Sequence, residues 1–298
     1  MTYTLYYTDH HEVVLPPGHK FPMPKYRLVR ELLGSNGHFR FVPAPEADPE
    51  TIALAHDRSY VESFLQGTLA TPVMRRIGFP WSETLVQRTL SSVGGTLQAT
   101  RDALSSGTFG GTLAGGTHHA FPAEGSGFCV FNDIAVAIRA LQHENRLRRY
   151  AVVDLDVHQG DGTALFFEDD PAVLTLSMHG RNNFPFRKQR SKLDIELEDR
   201  TGDEEYLRML EDVLPRVANF DPEIIFYQSG VDALCCDRLG RLELTHEGLK
   251  QRDTIVAGLA RDLRVPLVVT LGGGYGDPIE ATALAHANTF KVISSLMK

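Results

Sequence analysis

The sequence predicts an α/β fold built on a mainly parallel sheet. Three observations carry that expectation. Short runs rich in Val and Ile alternate along the chain with stretches of helical periodicity, the pattern of βαβ units. The runs are apolar throughout, as strands covered on both faces must be. The chemically interesting residues follow those runs directly, at the strand ends where open parallel sheets gather their ligands.

In chain order, Pro16-Pro17 to Pro24 and Pro43 to Pro49 read as surface loops or turns. Ser82 is placed to cap a helix that buries Leu85, Val86, Thr89, Leu90, Val93 and Leu97 and stops near Gly107. Gly94-Gly95 inside it weakens the helix and points to a close packing contact. Asn132 or Asp133 caps a second helix with Ile134, Ala137, Ile138 and Leu141 inward. Arg146, Arg148 and Arg149 give it a basic end that suits the helix dipole. Asp203 and Thr245 are candidate caps of two more. The predicted strands are Tyr150 to Val153, Val173 to Leu176, Ile224 to Tyr227 and Val265 to Leu271. No repeat or linker divides the chain, so residues 1–298 are expected to form one domain.

Composition excludes more than it identifies. With 42% hydrophobic residues the chain can bury a sizeable core, which sets it apart from disordered sequences. Its net charge of −8 argues against direct nucleic-acid binding, which depends on cationic neutralisation of phosphates. No apolar run is long enough to span a membrane. The opening Met1 to Tyr7 lacks the charged and apolar regions of a secretory leader, and three cysteines make no disulfide framework. The expected location is the cytoplasm.

The strand Tyr150 to Val153 leads into Asp154-Leu155-Asp156-Val157-His158-Gln159-Gly160-Asp161-Gly162. Asp154, Asp156 and His158 alternate, and share one face if the chain stays extended. Two carboxylates and an imidazole beside a buried strand are costly unless a cation relieves them, and that donor set suits Zn²⁺ or a neighbouring divalent metal such as Fe²⁺. Asp232, just past Ile224 to Tyr227, is a candidate third ligand. Two Asp and one His leave a position open for water. His118 and His119 follow Gly115-Gly116-Thr117. Neighbours in an extended loop point to opposite sides, which makes joint ligation awkward and favours proton handling, with Asp154 and Asp161 as carboxylates that set tautomer and basicity. Gly272-Gly273-Gly274-Tyr275-Gly276 lets backbone approach a ligand and aims a phenol that can donate to an oxyanion. The dinucleotide fingerprint, the Walker lysine, the nucleophile elbow and the paired-His zincin helix are all missing.

Together these motifs resemble the histone deacetylase superfamily. Gly115-Gly116-Thr117-His118-His119-Ala120, Gly127-Phe128-Cys129-Val130-Phe131-Asn132-Asp133, Asp154 to Gly162, Gly230-Val231-Asp232-Ala233 and Gly272-Gly273-Gly274-Tyr275 occur in that family's order. The opening Pro17 to Arg27 is most similar to bacterial relatives of the class IV deacetylases. The resemblance implies an arginase/deacetylase fold, a single-domain three-layer α/β/α arrangement with an eight-stranded sheet. It implies zinc held by Asp156, His158 and Asp232, with His118, His119, Tyr275, Asp154 and Asp161 as the catalytic group. It implies a structural K⁺ near Asp154, Asp156, His158, Ser177 and Met178. Gly127, Phe128 and Phe184 would line an acyl-lysine tunnel, Leu239 would stand at its mouth and Gly273 would also bind substrate. Arg27 would serve an inner cavity that receives the released acyl group. The implied substrates are acylated lysines on peptides or proteins, or else acetylpolyamines or another small N-acyl amine.

Several positions depart from the family pattern. The rim stretch Arg75 to Glu83 lacks the Asp that grips a substrate backbone, which leaves Glu83 or another group to do so. Leu239 stands where polyamine-selective relatives place an acidic group, with Asp237 close by. A binuclear manganese ureohydrolase needs more Asp near Asp232 than this chain has, and a non-catalytic metal-binding scaffold would not need the intact His pair and Tyr275. Cys235 and Cys236 read as small packing residues, Trp81 as a rim or oligomer contact, and the basic stretch Arg181 to Lys192 as a solvated loop bordering the pocket. The sequence leaves the oligomeric state open.

Overall fold

The computed structural model describes residues 2–34 and 37–298. Eight strands among them pair in parallel into one sheet in the order β2-β1-β3-β8-β7-β4-β5-β6. They are β1 (Tyr3–Tyr7), β2 (Phe39–Pro43), β3 (Phe109–Thr112), β4 (Tyr150–Asp154), β5 (Val173–Gly180), β6 (Leu193–Leu197), β7 (Ile224–Gln228) and β8 (Leu267–Thr270). The helices are α1 (Pro24–Gly34), α2 (Pro49–Ile52), α3 (Arg58–Leu65), α4 (Thr71–Ile77), α5 (Glu83–Ser106), α6 (Asp133–His143), α7 (Asp161–Phe167), α8 (Asp203–Asn219), α9 (His246–Leu263) and α10 (Ile279–Leu296). No helix among the described residues is long and apolar enough to cross a membrane.

The helices cover both faces of the sheet. β3 demonstrates this, because successive strand residues point to opposite sides. A Cβ on Gly110 would meet the Ala99 carbonyl oxygen of α5 at 1.8 Å, and one on Gly111 would meet the Phe290 ring of α10 at 2.8 Å. The four predicted strands are all present and fully buried, β4, β5, β7 and β8.

Capping follows the sequence in part. The Ser82 hydroxyl accepts from Leu85 N, and Gly107 ends α5 in the left-handed conformation. The glycine pair does mark a close contact, since a Cβ on Gly94 would lie 1.9 Å from the Pro45 carbonyl oxygen. Thr245 caps α9 through Gly248 N. Two expectations are corrected. Asp203 is the first residue of α8, not its cap, and its carboxylate instead takes the Thr245 N–H and hydroxyl, so the two helix starts are joined. α6 stops at His143, so Arg146, Arg148 and Arg149 lie beyond its end, and Arg149 bonds Asp221 ahead of β7.

Asn132 caps α6 through Ala135 N, and its own N–H donates to Nε2 of buried His56. Nδ1 of His56 faces the Pro122 carbonyl at 3.2 Å, so the ring is held neutral with its proton on Nδ1. Burial lowers its pKa to about 4. The unfolded chain takes up this proton first as pH falls, so the stability supplied by neutral His56 is complete above its ordinary value and is lost between there and about 4. Denaturant unfolding should show wild type losing about 2 kcal/mol more than His56→Gln between about pH 7 and pH 5. Parallel losses in the two proteins would refute this assignment.

Candidate active site

The five central strands β3, β8, β7, β4 and β5 all deliver residues to one place at their carboxyl ends. β3 leads to His118 and His119, β8 to Gly273 and Tyr275, β7 to Asp232 and Leu239, β4 to Asp154, Asp156, His158 and Asp161, and β5 to Phe184. Every β4-derived member is buried, and Asp232 is fully so. The expected extended face does not carry through, because β4 ends at Asp154. The chain beyond it turns on side-chain bonds instead. Asp154 accepts from the Asp156 N–H, Asp156 from the His158 N–H, and Asp232 from the Val157 N–H.

Asp156, His158 and Asp232 offer ligand atoms that lie within 4.8 Å of one another. Nδ1 of His158 is 3.0 Å from Asp156 Oδ1 and 3.1 Å from Asp232 Oδ2. Burial would lower the His158 pKa, but the two carboxylates overcome it and raise it to about 10. A proton there does what a cation would do better, and two oxygens with one imidazole nitrogen are a fitting donor set for a divalent metal. Gly273 is the residue this closeness requires. Its N–H donates to Asp156 Oδ2 at 2.7 Å, and a Cβ on it would lie 1.9 Å from Asp232 Oδ2.

The two histidines sit side by side, ring centroids 4.1 Å apart, rather than on opposite sides of an extended loop. The chain turns there, with Ala120 N–H bonded to the Thr117 carbonyl. Nδ1 of His118 is 2.7 Å from Asp154, and Nδ1 of His119 is 2.7 Å from Asp161. Their environments push them apart. Burial opposes charge on His118, yet Asp154 and Asp156 raise its pKa to about 9. Burial and the neighbouring His118 charge lower that of His119 to about 4. The Tyr275 phenol, buried and near both Asp156 and Asp232, stays protonated well above its ordinary range.

The pocket walls are aromatic. The Phe184 ring lies 4.9 Å from His119, and the Phe128 ring 6.1 Å from Tyr275. A Cβ on Gly127 would meet His119 at 2.7 Å and Phe184 at 3.2 Å, so this corner admits only glycine. Phe128 itself holds φ 65°, a conformation uncommon for a side chain of its size. Leu239 lines the wider outer part of the pocket. Ser177 and Met178 are buried on β5, with Asp154 opposite Ser177 in the β4–β5 register.

The sequence profile of the histone deacetylase domain matches residues 19–291. The chain belongs to the histone deacetylase family. It is 44% identical over 294 residues to an uncharacterized protein of Picosynechococcus, covering 96% of this chain and 97% of that one. It is 32% identical to histone deacetylase 2 of Arabidopsis thaliana, over 86% of this chain and 70% of the plant protein. It is 30% identical to an acetoin utilization protein of Bacillus subtilis, over 86% of this chain and 72% of the relative. A parallel eight-stranded sheet covered by helices is this family's α/β arrangement.

Other expected positions of this deacetylase-family chain are corrected. Arg27 lies on the exposed side of α1, paired with Glu31, and cannot serve an inner cavity. The buried arginine that lines that cavity is Arg88 of α5, whose guanidinium stands 4.6 Å over the Tyr26 ring. Glu83 opens α5 and does not line the outer pocket, whereas Arg75 and Arg76 do. The Trp81 indole donates to the Phe64 carbonyl and packs on Gly67, so it braces α3 and not the rim. Cys235 is exposed, not packed.

Four residues that hold the site were not singled out for that purpose. Asp133 accepts from Gly116 N, Thr117 N and the hydroxyls of Thr96 and Thr117, fixing the loop that presents His118 and His119. Asp237 accepts from Tyr275 N, Leu239 N and Gly240 N. The Lys25 ammonium, buried, donates to the Gly272 and Gly274 carbonyls. Arg252, fully buried on α9, donates to Gly230 O at 2.6 Å and reaches Leu155 O and Ser229 O at 3.4 and 3.5 Å. Its Asp253 partner fixes the fork. One guanidinium thus ties together both ligand-bearing loops. A signal existed, since Arg252-Asp253 falls on the apolar stripe of α9 with Leu249, Val256 and Ala257. Arg252→Lys keeps the charge but loses the fork and leaves buried carbonyls unpaired. Denaturant unfolding should register a loss of about 2–3 kcal/mol. An unchanged midpoint would show that the clamp carries no load.

Proposed function

We propose that this chain, as one catalytic domain over residues 1–298, is a zinc-dependent amidohydrolase that removes acyl groups from lysine side chains of peptides or proteins. The observation that carries the reading is the convergence of a cation-ligating triad, two His–Asp pairs and a buried phenol on one pocket. Asp156, His158 and Asp232 would hold Zn²⁺, which when bound would polarise the amide carbonyl and acidify water.

The chain's own groups divide the remaining work. His119, the neutral imidazole, takes a proton from the attacking water at Nε2, while Asp161 holds its Nδ1 proton. His118 keeps its positive charge alongside, backed by Asp154. Tyr275 donates its phenolic proton in a hydrogen bond to the oxyanion as water adds to the carbonyl. The protonated His119 then gives its proton to the leaving amine as the C–N bond breaks, and the remaining acid proton passes to the released amine, leaving a carboxylate and a lysine ammonium. Phe128 and Phe184 exclude water from the lysine stem. The inner pocket, about 40 Å³, is lined by His118, His119, Asp156, His158 and Tyr275 together with Phe21, Tyr26 and Arg88, and its small size favours an acetyl group. A K⁺ among Asp154, Asp156, His158, Ser177 and Met178 belongs to the same proposal, supported by the pairing of Asp154, at the end of β4, with Ser177 on β5.

The test is turnover by zinc-loaded protein on matched acetyl-, octanoyl- and myristoyl-lysine peptides. Acetyl-lysine should be preferred, and Tyr275→Phe should lower kcat by about 10²–10³ with little change in metal content. Turnover unaffected by the substitution would remove the phenol from the mechanism, and preference for myristoyl would overturn the acetyl assignment.

A further inference from the structure

The outer pocket, about 630 Å³, opens above His119, His158 and Tyr275. Its mouth carries Lys20, Arg75, Arg76 and Arg241, and no Asp or Glu lines it among the described residues. In a chain of net charge −8 this is a local reversal of sign. Arg76 is paired outward with Glu124 and Arg241 with Asp199. Lys20 and Arg75 are exposed and make no ion pair among the described residues. The loop between β5 and β6 reaches this mouth through Asn182, Asn183, Phe184 and Phe186. Lys188 donates to the Asn183 and Pro185 carbonyls and so props the loop that carries Phe184, while Arg187 and Arg190 are exposed without an ion-pair partner among the described residues. The Phe186 ring, 86% exposed, stands at the mouth beside Phe184.

A cationic mouth repels polyamines and Lys/Arg-rich tails and attracts carboxylates, so it sorts acyl-lysines by what surrounds them. We infer that this site selects acyl-lysines carried on acidic polypeptide segments, with Asp or Glu within a few residues of the modified lysine meeting Lys20 and Arg75. The inference rests on the lysine-deacylase reading above and names its substrate class. Backbone gripping by a rim carboxylate is replaced here by side-chain charge pairing, which explains why the rim stretch from Arg75 to Glu83 places arginines and no Asp in the pocket wall.

The experiment uses three labelled peptides with one central acetyl-lysine and acidic, neutral or basic flanks. Binding to the zinc-loaded protein is read by fluorescence anisotropy, and turnover of the same peptides is read separately. At low ionic strength the acidic peptide should bind about tenfold more tightly than the basic one, and the difference should shrink at about 0.5 M salt. The double variant Lys20→Glu/Arg75→Glu, which leaves the catalytic groups untouched, should abolish or reverse the order. Equal binding of all three peptides, no binding of any, or an order unchanged in the variant would overturn the inference. Ordered binding without turnover would sink the amidohydrolase reading and leave the charge selection standing. Turnover without ordered binding would do the reverse.

Discussion

Four carboxylates, those of Asp154, Asp156, Asp161 and Asp232, are buried around one site at the end of an apolar sheet, joined by the histidines between them. Charges in such a place are prohibitively costly unless each is paired. The rest of the site is the set of groups that pair them. His118 takes Asp154, His119 takes Asp161, and His158 lies between Asp156 and Asp232. Backbone N–H groups of residues 156, 157, 158 and 273 fill further lone pairs. Under the proposed function a divalent cation would complete the balance, and the imbalance of the metal-free site would give it affinity for one.

Holding charges this close demands a rigid frame, and a parallel sheet supplies it. β3, β8, β7 and β4 end at one level and β5 runs three residues past it, so loops that are remote in sequence meet without long excursions. Each loop is then fixed from behind by a buried polar group. Asp133 holds the loop of His118 and His119, Asp237 and Lys25 hold that of Tyr275, and Arg252 holds the loops of Asp156 and Asp232. His56 extends the chain of support by anchoring the start of α6, where Asp133 resides. These groups touch neither substrate nor metal, yet they set the positions of those that would.

Legibility in the sequence followed burial. β4, β5, β7 and β8 were readable because strands covered on both faces are apolar throughout. β6 was not, since as an edge strand it alternates charged residues, Leu193-Asp194-Ile195-Glu196-Leu197. β3 was hidden by Gly110-Gly111, a pair that reads as a turn but exists because α5 and α10 press on the strand from either side. The chemistry-bearing residues were legible because they cluster after strands in recognisable motifs. Arg27 misled because neighbouring motif residues do not reveal which side of a helix faces inward, whereas the face that α5 buries holds Arg88 alongside Leu85, Thr89 and Ser92. The turn that brings His118 and His119 together depends on Asp133, distant in sequence, and no local pattern announces it.

The central claim is that one divalent cation balances this buried carboxylate cluster through Asp156, His158 and Asp232. The most direct measurement is calorimetric titration of metal-stripped protein with Zn²⁺ in buffers of different ionisation enthalpy, beside the Asp232→Asn variant. The account predicts one ion per chain, release of a proton on binding as His158 gives up the charge it carries between two carboxylates, and a large loss of affinity in the variant. Binding of the same strength in Asp232→Asn, or no stoichiometric binding to the wild type, would contradict it.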